Sequence, residues 1–338
     1  MRIAIIGTGL IGSSIGLGLR RAGWEVTGWD PDPGHRTEAA ERGAVEAVAT
    51  VDELLAGAPD VVVLAAPPAA VIAAVSALDT NALVMDVAGV KTPVLAASRL
   101  RRFVGTHPMA GREVAGPGAA TASLFRGAAW VVVGDRAEPA DLATVERIIV
   151  ALGARPVRMT AADHDLAVAA ISHLPQLLAS ALMNEAADRT AALELVAGSF
   201  RDLTRVAASE PSMWVDLLAA NRGPVLDVLQ DFAGRLRDLA DRIATSDDAA
   251  VAAVLQRAQR ERRRLGSHTI DVRVALADEP GELARVGRAF EHSGVDVRDL
   301  QLRHAPYGGG GVLTVSVRSG DEEAMRAALT AQGLLLAD

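Results

Sequence analysis

Apolar residues follow three different rhythms along this chain, and each predicts a different architecture. In the first part, short apolar runs at Ile3-Ala4-Ile5-Ile6, Val61 to Ala65 and Leu83 to Val87, with a further strand at Glu25 to Trp29, alternate with helix-like segments such as 10–21 and Pro68 to Leu78. Short runs that are apolar throughout suit strands covered on both faces, so this part reads as a parallel α/β sheet. The sheet is expected to continue through Ala129 to Val133 and Arg155 to Arg158, closing a first domain over 1–158. From Ala161 to about Leu265 the rhythm is helical, broken at Gly198-Ser199 and Arg222-Gly223-Pro224, which gives an all-α domain over 159–265. Within it Leu166 to Met183 is apolar nearly all round. A helix of that kind must be covered on most sides, and a second copy of the chain is the readiest cover, so a homodimer is expected. The remainder, 266–338, alternates as a strand from Thr269 to Ala275 and turns at Asp278-Glu279-Pro280-Gly281 into a helix over Glu282 to Ser293. Strands at Val295 to His304 and Gly311 to Val317, a helix from Asp321 to Gln332 and a short strand complete a small α+β unit of βαββαβ order.

The first strand runs into Gly7-Thr8-Gly9-Leu10-Ile11-Gly12, a helix follows, and the second strand closes on Asp30, 18 residues beyond Gly12. Strand, glycines, helix, strand and acid together form the dinucleotide-binding fingerprint of a Rossmann-type domain. Gly7 makes a tight turn, Gly9 lets the backbone approach a pyrophosphate, Gly12 lets the helix pack closely, and Leu10 and Ile11 open the helix whose N-terminus faces the anion. A carboxylate at Asp30 accepts hydrogen bonds from ribose hydroxyls and repels a 2′-phosphate, so NAD is favoured over NADP. Arg36 stands close enough to keep the second cofactor possible. Ligands of such sheets collect at the carboxyl ends of the strands. Pro67, the stretch Asp86 to Lys91, and Gly105-Thr106-His107-Pro108-Met109-Ala110-Gly111-Arg112-Glu113 all occupy that edge.

Composition narrows the field. The 338 residues carry a formal net charge of −8 and no long basic tract, so nucleic acid is not an expected partner. The run Arg260 to Arg264 reads as a solvated helix end. Cysteine is absent, which excludes disulfides, thiolate ligands and a thiol nucleophile. Met1-Arg2 leads straight into a strand without a signal pattern, and Leu166 to Met183 is interrupted by His173, Pro175 and Gln176, so a cytoplasmic protein without a membrane span is expected. The candidate reaction centre is the 105–113 stretch, read as a loop bent by Pro108 and Gly111 that puts an imidazole beside a guanidinium and a carboxylate. His107 can take a proton near neutral pH; the alternative is a hydrogen-bonded loop histidine with no chemistry. Ser172-His173-Leu174-Pro175-Gln176 is either a polar core network or a site wall.

Taken in order, these residues resemble the prephenate and arogenate dehydrogenases of tyrosine biosynthesis, in the bacterial form with a C-terminal ACT regulatory domain. The resemblance rests on the glycine loop, Asp86 to Lys91, His107 to Gly111 with Glu113, Ser172 to Pro175, Phe200-Arg201-Asp202-Leu203-Thr204-Arg205, Met213-Trp214, and the Asp278 to Ala284 and Gly294 to Val297 segments. It implies NAD-dependent oxidative decarboxylation of prephenate to 4-hydroxyphenylpyruvate, without a metal. It makes His107 the group that draws off the ring 4-hydroxyl proton and Arg205 the partner of a substrate carboxylate. Glu113 would belong to the entrance network, His173 would shape the pocket, and Lys91 or Arg112 would add a cation for a dianionic substrate. The Asp278, Pro280 and Gly281 turn would take an amino-acid effector, tyrosine first among them, or the last unit would be a dimerisation module without a ligand.

Two positions depart from the family pattern. Gly89 stands where a serine usually supports the histidine, and Gln176 stands where some members have histidine. Because Gln176 is neutral, prephenate is preferred to arogenate. An arogenate dehydrogenase and a non-catalytic NAD-binding amino-acid sensor are the alternatives. A dehydrogenase of β-hydroxy acids or imines would place a lysine on the buried helix, and Leu166 to Met183 has none.

Overall fold

The computed structural model describes residues 1–111, 114–189, 193–265, 269–304 and 310–337. They form two compact units, Met1–Gly234 and Arg235–Asp338.

The first unit is built on an eight-stranded sheet of order β3-β2-β1-β4-β5-β6-β7-β8. Its strands are β1 (Arg2–Ile6), β2 (Glu25–Trp29), β3 (Glu46–Ala47), β4 (Val61–Leu64), β5 (Leu83–Asp86), β6 (Phe103–Pro108), β7 (Ala129–Val133) and β8 (Arg155–Met159). The helices α1 (Leu10–Arg21), α2 (Pro33–Glu41), α3 (Val51–Ala56), α4 (Pro68–Ala77), α5 (Thr92–Ala97) and α6 (Pro139–Ala151) connect them. The pleat sorts each central strand between two cores. Ile3, Ile5, Val61, Val63, Leu83 and Met85 pack on one face with Ile15, Leu19 and Ile148. Ala4, Ile6, Val62, Leu64 and Val84 pack on the other with Val71, Val75 and Val94.

The all-parallel expectation fails at one pair. β6 and β7 run antiparallel, with His107 opposite Val131 and Pro108 opposite Trp130. Among the described residues no α-helix of the crossover kind joins them, and a short 3₁₀ turn, Pro117–Ala119, is the regular element there. Without a crossover to carry the chain back to the starting end of the sheet, the next strand runs in the opposite sense. The same pairing corrects the placement of the reaction centre, because His107 is the penultimate residue of β6 rather than part of a loop.

The helical part comprises α7 (Ala161–Val168), a π-helical turn over Ala169–His173, α8 (Leu174–Ala187), α9 (Gly198–Thr204), a 3₁₀ turn over Arg205–Ala208, α10 (Pro211–Ala220), α11 (Arg222–Ala244) and α12 (Asp248–Leu265). The interrupted helix expected around Pro175 is continuous over Ala161–Ala187, with a π-helical turn at Ala169–His173. Pro175 has no N–H to give and its ring crowds the preceding turn, and widening that turn relieves both. The division between the two units falls inside α11.

The second unit carries an antiparallel sheet of order β10-β11-β9-β12. Its elements are β9 (Thr269–Leu276), α13 (Glu282–Ser293), β10 (Val297–His304), β11 (Gly311–Arg318), α14 (Glu322–Ala331) and β12 (Leu335–Ala337), which is the expected βαββαβ order. Val272, Val274, Val315 and Val317 face Val286, Ala289, Met325 and Leu329 across one core. Asp278, Pro280 and Gly281 lie exposed in the turn ahead of α13, where Gly281 takes φ +97°.

Candidate active site

The glycine loop joins β1 to α1 as the fingerprint requires. Gly7 has φ +99°, and a Cβ there would stand 2.2 Å from the carbonyl oxygen of Ala65, while one at Gly12 would stand 1.9 Å from that of Gly7. A Cβ at Gly9 would meet nothing, so its backbone borders open space into which a diphosphate fits. Leu10 and Ile11 form the first turn of α1, and Pro67 precedes α4 across the cleft. Asp30 is nearly buried, and its carboxylate accepts from the backbone N–H of Thr8 at 2.7 Å and of Asp32 at 3.0 Å. The ribose-binding acid is therefore tied directly to the phosphate-binding loop. Gly7, Gly9, Asp30 and Pro67 share a cleft of about 600 Å³ with His35. These residues fit a dinucleotide, and the carboxylate suits NAD. The guanidinium of Arg36 donates to the carbonyl of Asp30 at 2.5 Å.

The second half of the site is a chain of three side chains. His107 Nδ1 lies 2.9 Å from His164 Nε2, and His164 Nδ1 lies 2.8 Å from Asp165 Oδ1. The tautomers follow from the end of the chain. An ionised carboxylate only accepts, so His164 Nδ1 donates and its Nε2, in the neutral ring, accepts. His107 Nδ1 must then donate, which leaves the lone pair on His107 Nε2. That nitrogen faces Gly89, where a Cβ would stand 3.7 Å from it. Asp165 also accepts from the backbone N–H of Lys91 and of Thr92, each at 2.7 Å, and so caps the N-terminus of α5 from another element. Burial pushes the Asp165 carboxyl up, but hydrogen bonds from His164, Thr92 and Lys91 outweigh it and hold it below its ordinary value. His107 is held well below the usual imidazole range by burial first, then by His164, Lys91 and His173, with Asp165 pulling the other way.

His173, 1% exposed, is fixed in the same manner. Asn221 Nδ2 donates to the carbonyl of Asp165 at 2.8 Å and lies 3.2 Å from His173 Nδ1. The carbonyl cannot donate, so the amide orientation is settled, and the second amide proton goes to His173 Nδ1. His173 is then neutral with its proton on Nε2; burial lowers it to about 4. Its ring meets that of Trp214 edge-on at 6.1 Å. Gln176 is nearly buried with Oε1 unpartnered, and so is the indole N–H of Trp214. Two buried polar atoms without protein partners in one region are what a ligand-binding wall presents.

One expectation needs restating, and three further residues need placing. Lys91 is not a surface cation for substrate: it is fully buried, and its ammonium donates to Asp86 and to the carbonyl of Thr106. Arg205 opens the 3₁₀ turn that packs on α8, with its side chain exposed. Arg112 and Glu113 lie outside the described residues. Sequence reasoning passed over His164, Asp165 and Asn221 altogether. The available signal was the run Asp163-His164-Asp165, three consecutive polar residues ahead of an apolar segment.

Comparison with known proteins agrees with this geometry. Residues 15–158 match the family description "Prephenate dehydrogenase, nucleotide-binding domain" and residues 160–257 match "Prephenate dehydrogenase, dimerization domain". The chain is 29% identical to the prephenate dehydrogenase of Lactococcus lactis, over 84% of this chain and 85% of that one. The solved arogenate dehydrogenase of Synechocystis superposes with a TM-score of 0.69 at 30% identity, over 78% of this chain and 100% of that one. The prephenate dehydrogenase of A. aeolicus, solved with hydroxyphenyl propionate and NAD+, gives a TM-score of 0.72 at 26% identity, over 78% of this chain and 98% of that one. A matched family description over most of the length, together with the glycine loop and the His107 edge of the sheet, means that this chain belongs to the prephenate dehydrogenase family.

Proposed function

We propose that this protein oxidatively decarboxylates prephenate to 4-hydroxyphenylpyruvate with NAD, and that His107 Nε2 is the base. The observation that carries the reading is the His107–His164–Asp165 chain, which leaves that one nitrogen unprotonated and backed by a carboxylate. Gly7, Gly9, Gly12, Leu10, Ile11, Asp30 and Pro67 would hold NAD, which would supply the acceptor for the hydride of the carbinol carbon. His107 takes the 4-hydroxyl proton at Nε2. The positive charge that develops on its ring is shared through Nδ1–H with His164 and answered by Asp165, which stays ionised. Once the ring is a dienone, loss of its carboxylate as carbon dioxide is driven by aromatisation. His107 is half-buried, and the desolvation that this brings keeps its lone pair free at neutral pH.

Arg205 is the partner proposed for a substrate carboxylate, with Glu113 in the entrance network and His173 and Gln176 in the wall. The neutral Gln176 favours the keto side chain of prephenate. Arogenate is the second reading, supported by the unpartnered Gln176 Oε1, an acceptor suited to an ammonium. The second unit is proposed as an ACT domain that binds tyrosine at the Asp278–Gly281 turn, and the helical part as the contact of a homodimer. Steady-state reduction of NAD with prephenate and with arogenate, each with and without tyrosine, tests the substrate and effector assignments. Turnover of prephenate that is lost in His107→Asn and reduced by tyrosine is expected; turnover of arogenate alone would reverse the substrate assignment, and no turnover with either would leave an amino-acid sensor.

A further inference from the structure

The register between β5 and β6 stops early. Val84 pairs with Phe103 and Met85 with Val104, and the ladder goes no further, although β6 continues to Pro108. Beyond that point side chains take over the pairing. Asp86 Oδ1 accepts from the backbone N–H of Thr106 at 3.1 Å, and the Thr106 hydroxyl donates to the carbonyl of Asp86 at 2.5 Å. The carbonyl of Thr106, which belongs to the same peptide as the His107 nitrogen, accepts from Lys91 Nζ at 2.6 Å. Trp130 Nε1 donates to the Thr106 hydroxyl at 2.9 Å from the β7 side. Lys91 therefore joins the two carboxylates of the site. Its ammonium binds Asp86 under the strand, and its backbone N–H binds Asp165 at the end of the histidine chain.

We propose that Asp86 and Lys91 are positioning residues for His107: the buried pair stands in for the missing rungs of the ladder at Thr106, fixing where the imidazole sits and which charge lies behind it. This rests on the reading of His107 as the base. Packing alone does not call for two charges here, because an apolar pair of similar volume is often as stable as a buried ion pair or more so. Burial pushes Asp86 up and Lys91 down, each against the pull of the other. The groups that bear on the His107 ring are His164 and Asp165 from α7, His173 from the π turn, and Lys91; of these, Lys91 is one that disfavours a protonated ring. Placement and protonation of the base thus depend on the same ammonium.

The test is the double variant Asp86→Asn/Lys91→Met in the full chain. It is read by the ring ¹⁵N shifts of His107 titrated without cofactor, and by kcat and KM against pH with prephenate and NAD. The peak of His107 is assigned by its loss in His107→Asn. The expected result is a folded protein with an unchanged KM for NAD. Its kcat falls roughly tenfold or more, as displacement of a catalytic group by a fraction of an ångström costs, and both the His107 titration and the acid limb of kcat/KM move to higher pH. If the double variant does not fold, Lys91→Met alone supplies the same titration, since Asp86 is then free to take up a proton. A variant with wild-type kcat and an unmoved His107 titration would make the pair mere packing and overturn the proposal. A wild-type protein that turns over neither prephenate nor arogenate would instead overturn the functional reading, while the titration would still decide the role of the pair.

Discussion

Two hydrogen bonds in series decide what His107 can do, and they make its pH behaviour predictable. The base must be unprotonated, and burial, His164, Lys91 and His173 hold its pKa well below 6.5. Activity is therefore expected to be flat through neutrality and to fall only as pH drops well below 6.5, measured as kcat/KM against pH; a limb centred at or above that value would contradict the assignment. His107→Asn keeps a hydrogen-bonding group near Nδ1 but has no lone pair at the Nε2 position, and a loss of about 10²–10⁴-fold in kcat is expected, with NAD affinity retained by titration calorimetry. His173 gives a stability prediction from the same physics. Its folded value is about 4 against an unfolded 6.5, so the unfolded chain binds more protons between those limits. Stability contributed at neutral pH is then lost as pH falls from about 6.5 to about 4, by roughly 3 kcal/mol at most, and urea unfolding at pH 7 and 4.5 measures it. Gly89 is the remaining residue of interest. A serine there brings its hydroxyl within reach of His107 Nε2, provided Leu217, whose Cδ1 lies 3.1 Å from the added Cβ, gives way. One such hydrogen bond is worth about 1 kcal/mol, so Gly89→Ser is expected to raise kcat/KM up to about fivefold, and a decrease would mean that Leu217 does not yield.

At the scale of elements, the site is the meeting of a strand end, a helix start and a helix that belongs to a different part of the chain. Asp165 on α7 caps α5 and also terminates the histidine chain, so one carboxylate couples a structural cap to the base. Asp165→Ala is expected to cost about 2–3 kcal/mol in chemical denaturation through the lost charged hydrogen bonds, and to lower kcat. Asp165→Asn should recover much of the stability by keeping acceptors for one helix N–H but little of the rate, because its amide does not hold the developing imidazolium. Equal loss of both properties in the two variants would deny the separate roles. This coupling explains which parts of the site were legible in the sequence. The glycine loop and Asp30 could be read because local geometry dictates them: Gly7 at positive φ and Gly12 against a carbonyl tolerate nothing larger. His107 could be singled out as chemically able, but its strand depends on pairing with β7 and its tautomer on a residue 57 positions away. Lys91 was misread because a lysine in a loop motif looks like a free cation. Its burial against Asp86 comes from the parallel sheet closing over it, and no periodicity records that.

For the whole molecule, the helices of the first unit carry apolar side chains that stay exposed among the described residues. Leu182 on α8 is 39% exposed, Leu203 on α9 is 67%, Met213 and Val215 on α10 are 53% and 65%, and Leu226 on α11 is 47%. The run Ala161–Ala187 is even long and apolar enough by composition to cross a membrane, but it contains the buried polar residues His164, Asp165 and His173, which are already bound to one another or to Asn221 within this unit. A second copy covers such a surface without disturbing that network, and each Leu or Val fully buried there contributes about 1.5–3 kcal/mol. The proposed dimer should therefore persist at micromolar concentration in sedimentation equilibrium. Placing charges on the surface, as in Leu182→Glu/Val215→Glu, reverses the sign of the contribution at both sites and should shift the protein to monomers by a hundredfold or more in dissociation constant, since every 1.4 kcal/mol is about tenfold. The substituted residues lie outside the His107–His164–Asp165 chain, so the monomer should keep the His107 ring titration even if turnover falls. If the wild-type chain sediments as a monomer, the exposed leucines and valines have another partner, and the homodimer proposal is wrong.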